Sequence, residues 1–238
     1  GAGGGGVRAG GALMRRGVVW RGGTALVALL AACDSPTVPG RAEAYEFALE
    51  TTPPLVYRWP TGKTIRVLVE GGSDAARAEL LRAAFEEGAA GWQEAVLYGE
   101  FRLAAVARAE EADVILAWSD APLPVEVAGC PPVGGRAVTT FCLTEDRTGF
   151  EAFPLKLAPA GGEGRVRMLV TVSADEAGNA ERVRRLVAHE LGHVLGIGRH
   201  SPDPEDLMSG GLPVTAKPTV RDRGTVQILY HTRPDVVP

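Results

Sequence analysis

Residues 189–200 read His-Glu-Leu-Gly-His-Val-Leu-Gly-Ile-Gly-Arg-His and hold three of the chain's four histidines. Apolar residues at helical spacing precede this stretch and predict a helix that begins after Asn179, a good N-cap residue. His189 and His193 are four residues apart, so both imidazoles project from one side of that helix, one turn apart. Gly196 predicts the end of the helix, because glycine readily takes the left-handed conformation found just past a helix C-terminus.

Two imidazoles at this spacing suit neighbouring ligands of a tetrahedral zinc ion, whose Zn–N bonds are about 2.0–2.1 Å. Glu190 lies about 100° further round the helix, where it borders the open coordination position without filling it. A carboxylate in that place can take a proton from metal-bound water. If the chain reverses at Gly196, His200 returns towards His189 and His193. The residues therefore predict one catalytic zinc ion with three histidine ligands and Glu190 as general base.

This stretch resembles the active-site motif of the metzincin zinc peptidases, most closely their matrixin-like branch. The segment 189–196 follows the family pattern residue by residue, but three residues instead of two separate Gly196 from the next histidine. Arg199 therefore occupies the usual ligand position, and a guanidinium stays charged and cannot coordinate zinc. We assign His200 as the third ligand. Asp206 and Glu205 are the alternatives, because zinc sites with two histidines and a carboxylate also exist.

The resemblance implies an α/β (α+β) fold with a mixed twisted sheet, two long helices, a Met-turn and a C-terminal helix. Met208 lies where the family has the Met-turn methionine, which sits beneath the histidines without binding the metal. Hydrophobic periodicity agrees with this order of elements. It predicts strands near 64–70, 101–105, 112–118 and 165–173, helices near 75–94, 180–195 and 219–231, and short strands near 137–143 and 152–157.

The activity implied by the resemblance is that of an endopeptidase, in which zinc-bound water attacks a peptide carbonyl and Glu190 acts as general base. The partner is a protein or peptide substrate, and we expect the chain to act as a monomer. By the same analogy, residues 211–215 wall an apolar specificity pocket, and the substrate pairs with the strand near 137–143. Two non-enzymatic alternatives remain: a surface lipoprotein that keeps the scaffold for binding, and a transporter's substrate-binding lipoprotein.

The N-terminal region predicts export. Residues 1–32 comprise upstream sequence and a signal peptide with a charged start and a short apolar run. That run is about half of the ~20 residues that span a bilayer. The segment Leu30-Ala31-Ala32-Cys33 resembles a bacterial lipoprotein box, which implies lipidation of Cys33 and anchoring to a bacterial membrane, facing periplasm or exterior. An ordinary signal peptide is the alternative. Residues 33–56 are predicted to be a flexible tether, and residues 57–238 the catalytic domain.

The net charge and the cysteines limit the possible partners and the possible covalent links of the chain. The 238 residues carry a net charge of −4, which argues against a nucleic-acid partner. Cys130 and Cys142 predict a disulfide, since an isolated pair in an exported protein most often forms one; metal ligands or a zinc-blocking thiolate are the alternatives. Acidic residues between 143 and 151 leave room for a calcium ion, whose ligands the sequence does not identify.

Overall fold

A computed structural model describes residues 44–120, 135–152 and 166–238, together with Gly1 and Gly3. The chain divides into two compact units, Gly1–Pro36 and Thr37–Pro238, and the description below concerns the second. The predicted signal peptide, Cys33, Cys130 and residues 153–157 of the strand expected near 152–157 lie outside the described residues.

The second unit is a mixed α/β domain built on a five-stranded sheet, as the sequence predicted. The strand order is β2-β1-β3-β5-β4. The first four strands in this order run parallel, and β4 pairs antiparallel with β5 at the sheet edge. The strands are β1 (Lys63–Glu70), β2 (Phe101–Val106), β3 (Val114–Ser119), β4 (Ala137–Thr140) and β5 (Met168–Ser173). The helices are α1 (Ala75–Ala95), α2 (Ala180–Leu195) and α3 (Val220–His231), with short 3-10 helices at Ala109–Glu111 and Ala174–Gly178.

The helices begin where side chains can cap them. Asp74 accepts hydrogen bonds from the backbone N–H groups of the first turn of α1, and Asn179 does the same for α2. Thr219 and Asp222 form a reciprocal capping box at α3. These caps satisfy N–H groups that have no partner within a helix, so the boundaries agree with the sequence prediction to within a few residues.

Helices α1 and α2 pack closely over the sheet. A Cβ atom at Gly88 of α1 would lie 3.0 Å from Leu191 Cδ1 and 3.2 Å from Ala188 Cα, so glycine permits the close approach. The Trp92 indole Nε1, also on α1, donates a 2.8 Å hydrogen bond to the Ala188 carbonyl of α2. Buried side chains of both helices and of the inner strands form one core, which fixes α2 against the sheet.

The segment 44–56, which we call the N-terminal arm, packs against the rest of the domain. The buried Tyr45 donates from its hydroxyl to Asp222 Oδ1 at 2.7 Å and from its backbone N–H to Thr225 Oγ1 at 3.1 Å. The sequence assigned this segment to a flexible tether, because its prolines and lack of periodicity gave no sign of these long-range contacts.

Among the described residues, no helix is both long enough and apolar enough to cross a membrane.

Candidate metal centre

The C-terminal half of α2 carries the first two histidines and ends at Leu195. Gly196 follows with φ of 120°, and a Cβ there would lie 2.3 Å from the Tyr57 carbonyl oxygen. The Tyr57 hydroxyl donates to the His193 carbonyl at 2.6 Å, and the Trp59 indole donates to the Val194 carbonyl at 2.8 Å. These bonds add side-chain donors to carbonyls of the last turn of the helix, and they tie the end of α2 to the segment of Tyr57 and Trp59.

The chain reversal brings His200 to the histidines of α2. One side-chain nitrogen from each of His189, His193 and His200 lies within 4.8 Å of the other two, so that a single ion can sit between them. The ring centroids are 4.9 to 5.2 Å apart. Among the described residues, these three histidines are the one group of at least three His, Cys, Asp or Glu side chains that are close enough together to hold a metal ion.

The extra residue before His200 is accommodated by the N-terminal arm. The Arg199 guanidinium turns to the arm, where Nε donates to the Ala48 carbonyl at 3.0 Å and Nη1 lies 3.6 Å from Glu50 Oε1. The Gly198 N–H donates to the Phe47 carbonyl at 2.7 Å. A Cβ at Gly198 would lie 3.0 Å from that same oxygen, so glycine allows the loop to dock on the arm. The loop thereby places His200 in the site and Arg199 outside it.

Two backbone carbonyls set the orientation of the histidine rings. His189 Nδ1 lies 2.8 Å from the Leu207 oxygen, and His193 Nδ1 lies 2.6 Å from the Ile197 oxygen. Because a carbonyl only accepts, each Nδ1 carries the proton, and the Nε2 lone pair is left for a metal. Burial lowers the pKa of both rings to about 4, and it also lowers the pKa of His200. The donor set is therefore three neutral imidazoles at neutral pH, which fits zinc.

The alternative carboxylate ligands are not part of this group. Asp206 is buried, and its oxygens accept from Ser201 Oγ and from Thr219 Oγ1 at 2.7 Å. Arg221 Nε lies 2.9 Å from Asp206 Oδ2. Glu205 is exposed. Asp206 thus has a structural role in the turn that follows His200.

Met208 packs directly beneath α2. A Cβ at Gly192 would lie 2.3 Å from Met208 Sδ and 2.8 Å from Trp92 Cζ2, so only glycine leaves room for both side chains. The turn around Met208 also supplies Leu207, whose carbonyl orients His189. The Met-turn role that the resemblance implied for Met208 stays a prediction.

Asp222 holds that turn in place and was not identified from the sequence. It is fully buried, and its carboxylate accepts from the N–H groups of Leu207 at 2.9 Å and Met208 at 3.3 Å. It also accepts from Thr219 and Tyr45. The spacing of Thr219 and Asp222 is that of a capping box, and this pattern could have identified Asp222 as an N-terminal helix residue, but not its contacts with the turn.

Glu190 is buried beside the histidines. Its Oε2 accepts a 2.6 Å hydrogen bond from Thr139 Oγ1, on the edge strand β4. Burial raises the pKa of the Glu190 carboxyl, whereas the His193 ring and the Thr139 hydroxyl lower it by smaller amounts. Thr139 was also missed by sequence reasoning, because it lies 51 residues from Glu190 and only the sheet brings them together.

A cleft of about 450 Å³ opens over the three histidines and Glu190. Strand β4 forms one side, and the residues 210–213 form another. The resemblance implied that residues 211–215 and the strand near 137–143 border the substrate site. Residues 211–213 and β4 line this cleft, and their contact with a substrate stays a prediction. The remaining lining includes Leu49 of the N-terminal arm.

Cys142 is disulfide-bonded. Its predicted partner, Cys130, lies outside the described residues, so the pairing stays a prediction.

In the acidic segment 143–151, Asp146 accepts hydrogen bonds from its neighbours Thr144 and Thr148. Within the described residues, this segment contributes no group of three or more Asp, Glu, His or Cys side chains that could hold a metal ion, and the calcium ion stays a prediction.

Fold and site together define a mixed α/β domain with a three-histidine group able to bind a metal ion. No family model and no curated protein matches the chain. Among solved structures, myroilysin is similar at 17% identity and a TM-score of 0.32, over 60% of this chain and 44% of that chain. Archaemetzincin from Methanopyrus kandleri is similar at 16% identity and a TM-score of 0.31, over 71% of this chain and 91% of that chain. The chain thus spans less than half the length of myroilysin.

Proposed function

We propose that the chain is a zinc-dependent endopeptidase of the metzincin type, in its matrixin-like branch. The observation that carries the proposal is the convergence of three neutral imidazoles with a buried carboxylate, Glu190, in one cleft. Three histidine ligands leave a zinc ion with an open coordination position, which is the arrangement of a catalytic site and not of a closed structural one. The motif in residues 189–196 supports the finer assignment.

Bound zinc would supply Lewis-acid activation of water and of the peptide carbonyl. Glu190 accepts the proton of the attacking water and returns it to the departing amine. Burial raises the pKa of the Glu190 carboxyl, which favours its acceptance of a proton. The hydrogen bond from Thr139 fixes one carboxylate oxygen, which leaves the other to face the substrate.

The cleft suits an extended peptide. Among the described residues, β4 pairs with β5 alone, so that its outer edge is available for main-chain hydrogen bonds to a substrate. The opposite side presents Leu212, which is 41% exposed, followed by the half-exposed Val214. We therefore propose main-chain recognition along β4 and a preference for an apolar side chain next to Leu212.

Location is a separate proposal and rests on the segment 30–33 alone. We propose export and lipid anchoring at Cys33. Mass spectrometry of the membrane-extracted chain would detect an acylated N-terminal cysteine. An unmodified Cys33, or a mature chain beginning elsewhere, would refute the anchor without bearing on the metal site.

The test of the enzymatic proposal uses the full chain, metal analysis and cleavage of casein or a peptide library. We expect one zinc ion per chain and hydrolysis that a chelator abolishes. Glu190→Gln should retain zinc and lose activity by about 10²–10⁴-fold, the usual contribution of a general base. His189→Ala should lose both. Glu205→Gln is the control, because Glu205 is an exposed carboxylate outside the metal group.

The outcomes separate the enzyme from the alternatives. Chelator-resistant cleavage, or full activity in Glu190→Gln, would contradict the mechanism. Zinc bound tightly without hydrolysis of any peptide would favour a non-catalytic binding module on the same scaffold.

A further inference from the structure

One cationic side chain lies at the rim of the cleft. Arg136 immediately precedes β4 and lines the cleft together with the histidines and Glu190. Its side chain is 58% exposed, so it is accessible to a ligand. Of the described residues that line the cleft, Arg136 is the one with a guanidinium or ammonium group and Glu190 the one with a carboxyl group, and Glu190 is assigned to proton transfer.

Arg136 belongs to a cluster with excess positive charge. Its Nη1 donates to Glu176 Oε1 at 2.6 Å, and Arg182 Nη1 donates to Glu176 Oε2 at 3.1 Å. One buried carboxylate therefore faces two guanidinium groups, and the three side chains together carry one positive charge. The contact with Glu176 orients Arg136 through one of its five N–H donors, and a guanidinium can bind a second carboxylate with the others.

This local charge is opposite in sign to that of the whole chain, which is −4. A negatively charged peptide is therefore repelled in general and attracted at the mouth of the cleft. Arg136 also lies three residues before Thr139, which contacts Glu190. Three residues of extended strand span roughly 10 Å, so a ligand group at Arg136 is about three residues from the bond that Glu190 would act on.

We propose that Arg136 binds a carboxylate of the substrate, from an Asp or Glu side chain or from a free C-terminus, and thereby selects acidic peptides. The inference rests on the proposed peptidase function and adds a substrate class to it. Arg136 is a specificity residue in this scheme: it contacts the substrate and takes no part in the proton transfers.

The test compares cleavage of peptides that differ by Glu or Gln at each of four positions on either side of the scissile bond. Each peptide is made with a free and with an amidated C-terminus. The zinc-loaded full chain should cleave at least one Glu peptide with a kcat/KM roughly five- to tenfold above that of its Gln partner, the effect of one partly exposed charged contact. Arg136→Gln should abolish this ratio, and Arg136→Lys should restore part of it.

Arg182→Gln is the matched control. It removes the same charge from the same Glu176 cluster, but Arg182 is not among the residues that line the cleft. It should therefore leave the Glu/Gln ratio in place. A second readout avoids turnover: in a Glu190→Gln background, fluorescence anisotropy should show weaker binding of the Glu peptide when Arg136→Gln is added, with Gln-peptide binding unchanged.

A preference that follows the free C-terminus instead of a Glu position identifies the carboxylate as terminal and supports the proposal. The proposal is overturned if Arg136→Gln lowers kcat/KM equally for Glu and Gln peptides. It is also overturned if Arg182→Gln lowers the Glu/Gln ratio of kcat/KM as much as Arg136→Gln does. In both cases the peptidase function stands. If the wild-type chain cleaves none of the peptides in a zinc-dependent manner, the peptidase function itself fails, and the selection of acidic substrates fails with it.

Discussion

Replacing Asp222 by alanine should destabilise the fold and loosen the metal centre together. The Asp222 carboxylate accepts hydrogen bonds from the buried N–H groups of Leu207 and Met208 and from the Tyr45 hydroxyl. It also accepts from the backbone and hydroxyl of Thr219. The Thr219 hydroxyl also lies 2.7 Å from Asp206 Oδ1, which can replace Asp222 as its acceptor. The substitution therefore leaves three buried donors without an acceptor: the N–H groups of Leu207 and Met208 and the Tyr45 hydroxyl.

The magnitude follows from the donors that lose their partner. Each buried donor left unsatisfied costs about 1–3 kcal/mol, so three of them cost about 3–6 kcal/mol once entering water restores part of the loss. That is a large share of the roughly 5–15 kcal/mol that stabilises a typical domain. Asp222→Asn retains one acceptor oxygen, and we expect about half of this cost. The asparagine variant therefore keeps enough folded protein for metal measurements.

Urea unfolding gives the stability, and competition with a chromophoric chelator gives zinc affinity. Because Leu207 also accepts from His189, Asp222→Asn should weaken zinc binding by about 10–100-fold, as changes behind metal ligands commonly do. Asp146→Ala is the control, since Asp146 accepts three hydrogen bonds but is exposed, and water replaces it. The reasoning is refuted if Asp222→Ala costs no more than Asp146→Ala, or if Asp222→Asn binds zinc as tightly as the wild type.

Three further predictions concern packing, pH and the loop before the third histidine. Gly192→Ala should cost about 1–3 kcal/mol in urea unfolding, because the new methyl group overlaps Met208 Sδ. For Asp113, burial raises the pKa, but the hydrogen bonds from Arg66 and the positive charges of Lys63 and Arg66 together outweigh it, so the pKa is lowered. The depressed pKa stabilises the folded state at pH values above the pKa of the unfolded chain, near ~3.9, and this stabilisation is lost as the pH falls through the pKa of the folded state. In urea titrations, the stability difference between the wild type and Asp113→Asn should therefore shrink below about pH 4. Gly198→Ala should weaken zinc binding by roughly tenfold, measured with the same chelator, because its Cβ would press against the N-terminal arm and displace the loop.

Gly178→Ala serves as the control for both glycine substitutions, since a Cβ there meets no atom within 4 Å. Equal effects of Gly178→Ala and Gly192→Ala would show that the crowding beneath α2 is not the cause. A Gly198→Ala variant with unchanged zinc affinity would contradict the role of the arm, and a pH-independent effect of Asp113→Asn would contradict the sign of its shift.

The local sequence pattern was sufficient to predict the helices and strands and the part of the site that lies on α2. His189, Glu190 and His193 lie within five residues of one helix, and helical periodicity alone sets their relative directions. Gly196 ends that helix because of a conformational preference that belongs to glycine itself. The strands β1, β2, β3 and β5 were predicted because alternating or continuously apolar residues bury in a sheet whatever their neighbours are. These features depend on short-range geometry, which the sequence states directly.

The choice of His200 as the third histidine of the group required more than spacing. In the usual pattern, Arg199 would occupy the ligand position, but a guanidinium cannot coordinate zinc. The sequence therefore predicted His200 instead, and it did not predict how the chain accommodates the extra residue. The answer lies in the N-terminal arm, where Arg199 finds the Ala48 carbonyl and Gly198 the Phe47 carbonyl. No periodicity in the arm predicted this, because its contacts are with residues about 150 positions away.

The sequence by itself determined which two histidines of α2 share one side of the helix, where they can meet one metal ion, and that Glu190 lies beside them. The tertiary structure decided what holds those side chains still: Asp222 behind the Met208 turn, Thr139 against Glu190, and the arm beneath the loop of His200. Each of these partners comes from a distant segment. A hydrogen bond between two residues far apart in sequence forms only when the fold of the whole chain brings them together. The residues next to either partner in the sequence do not predict that contact.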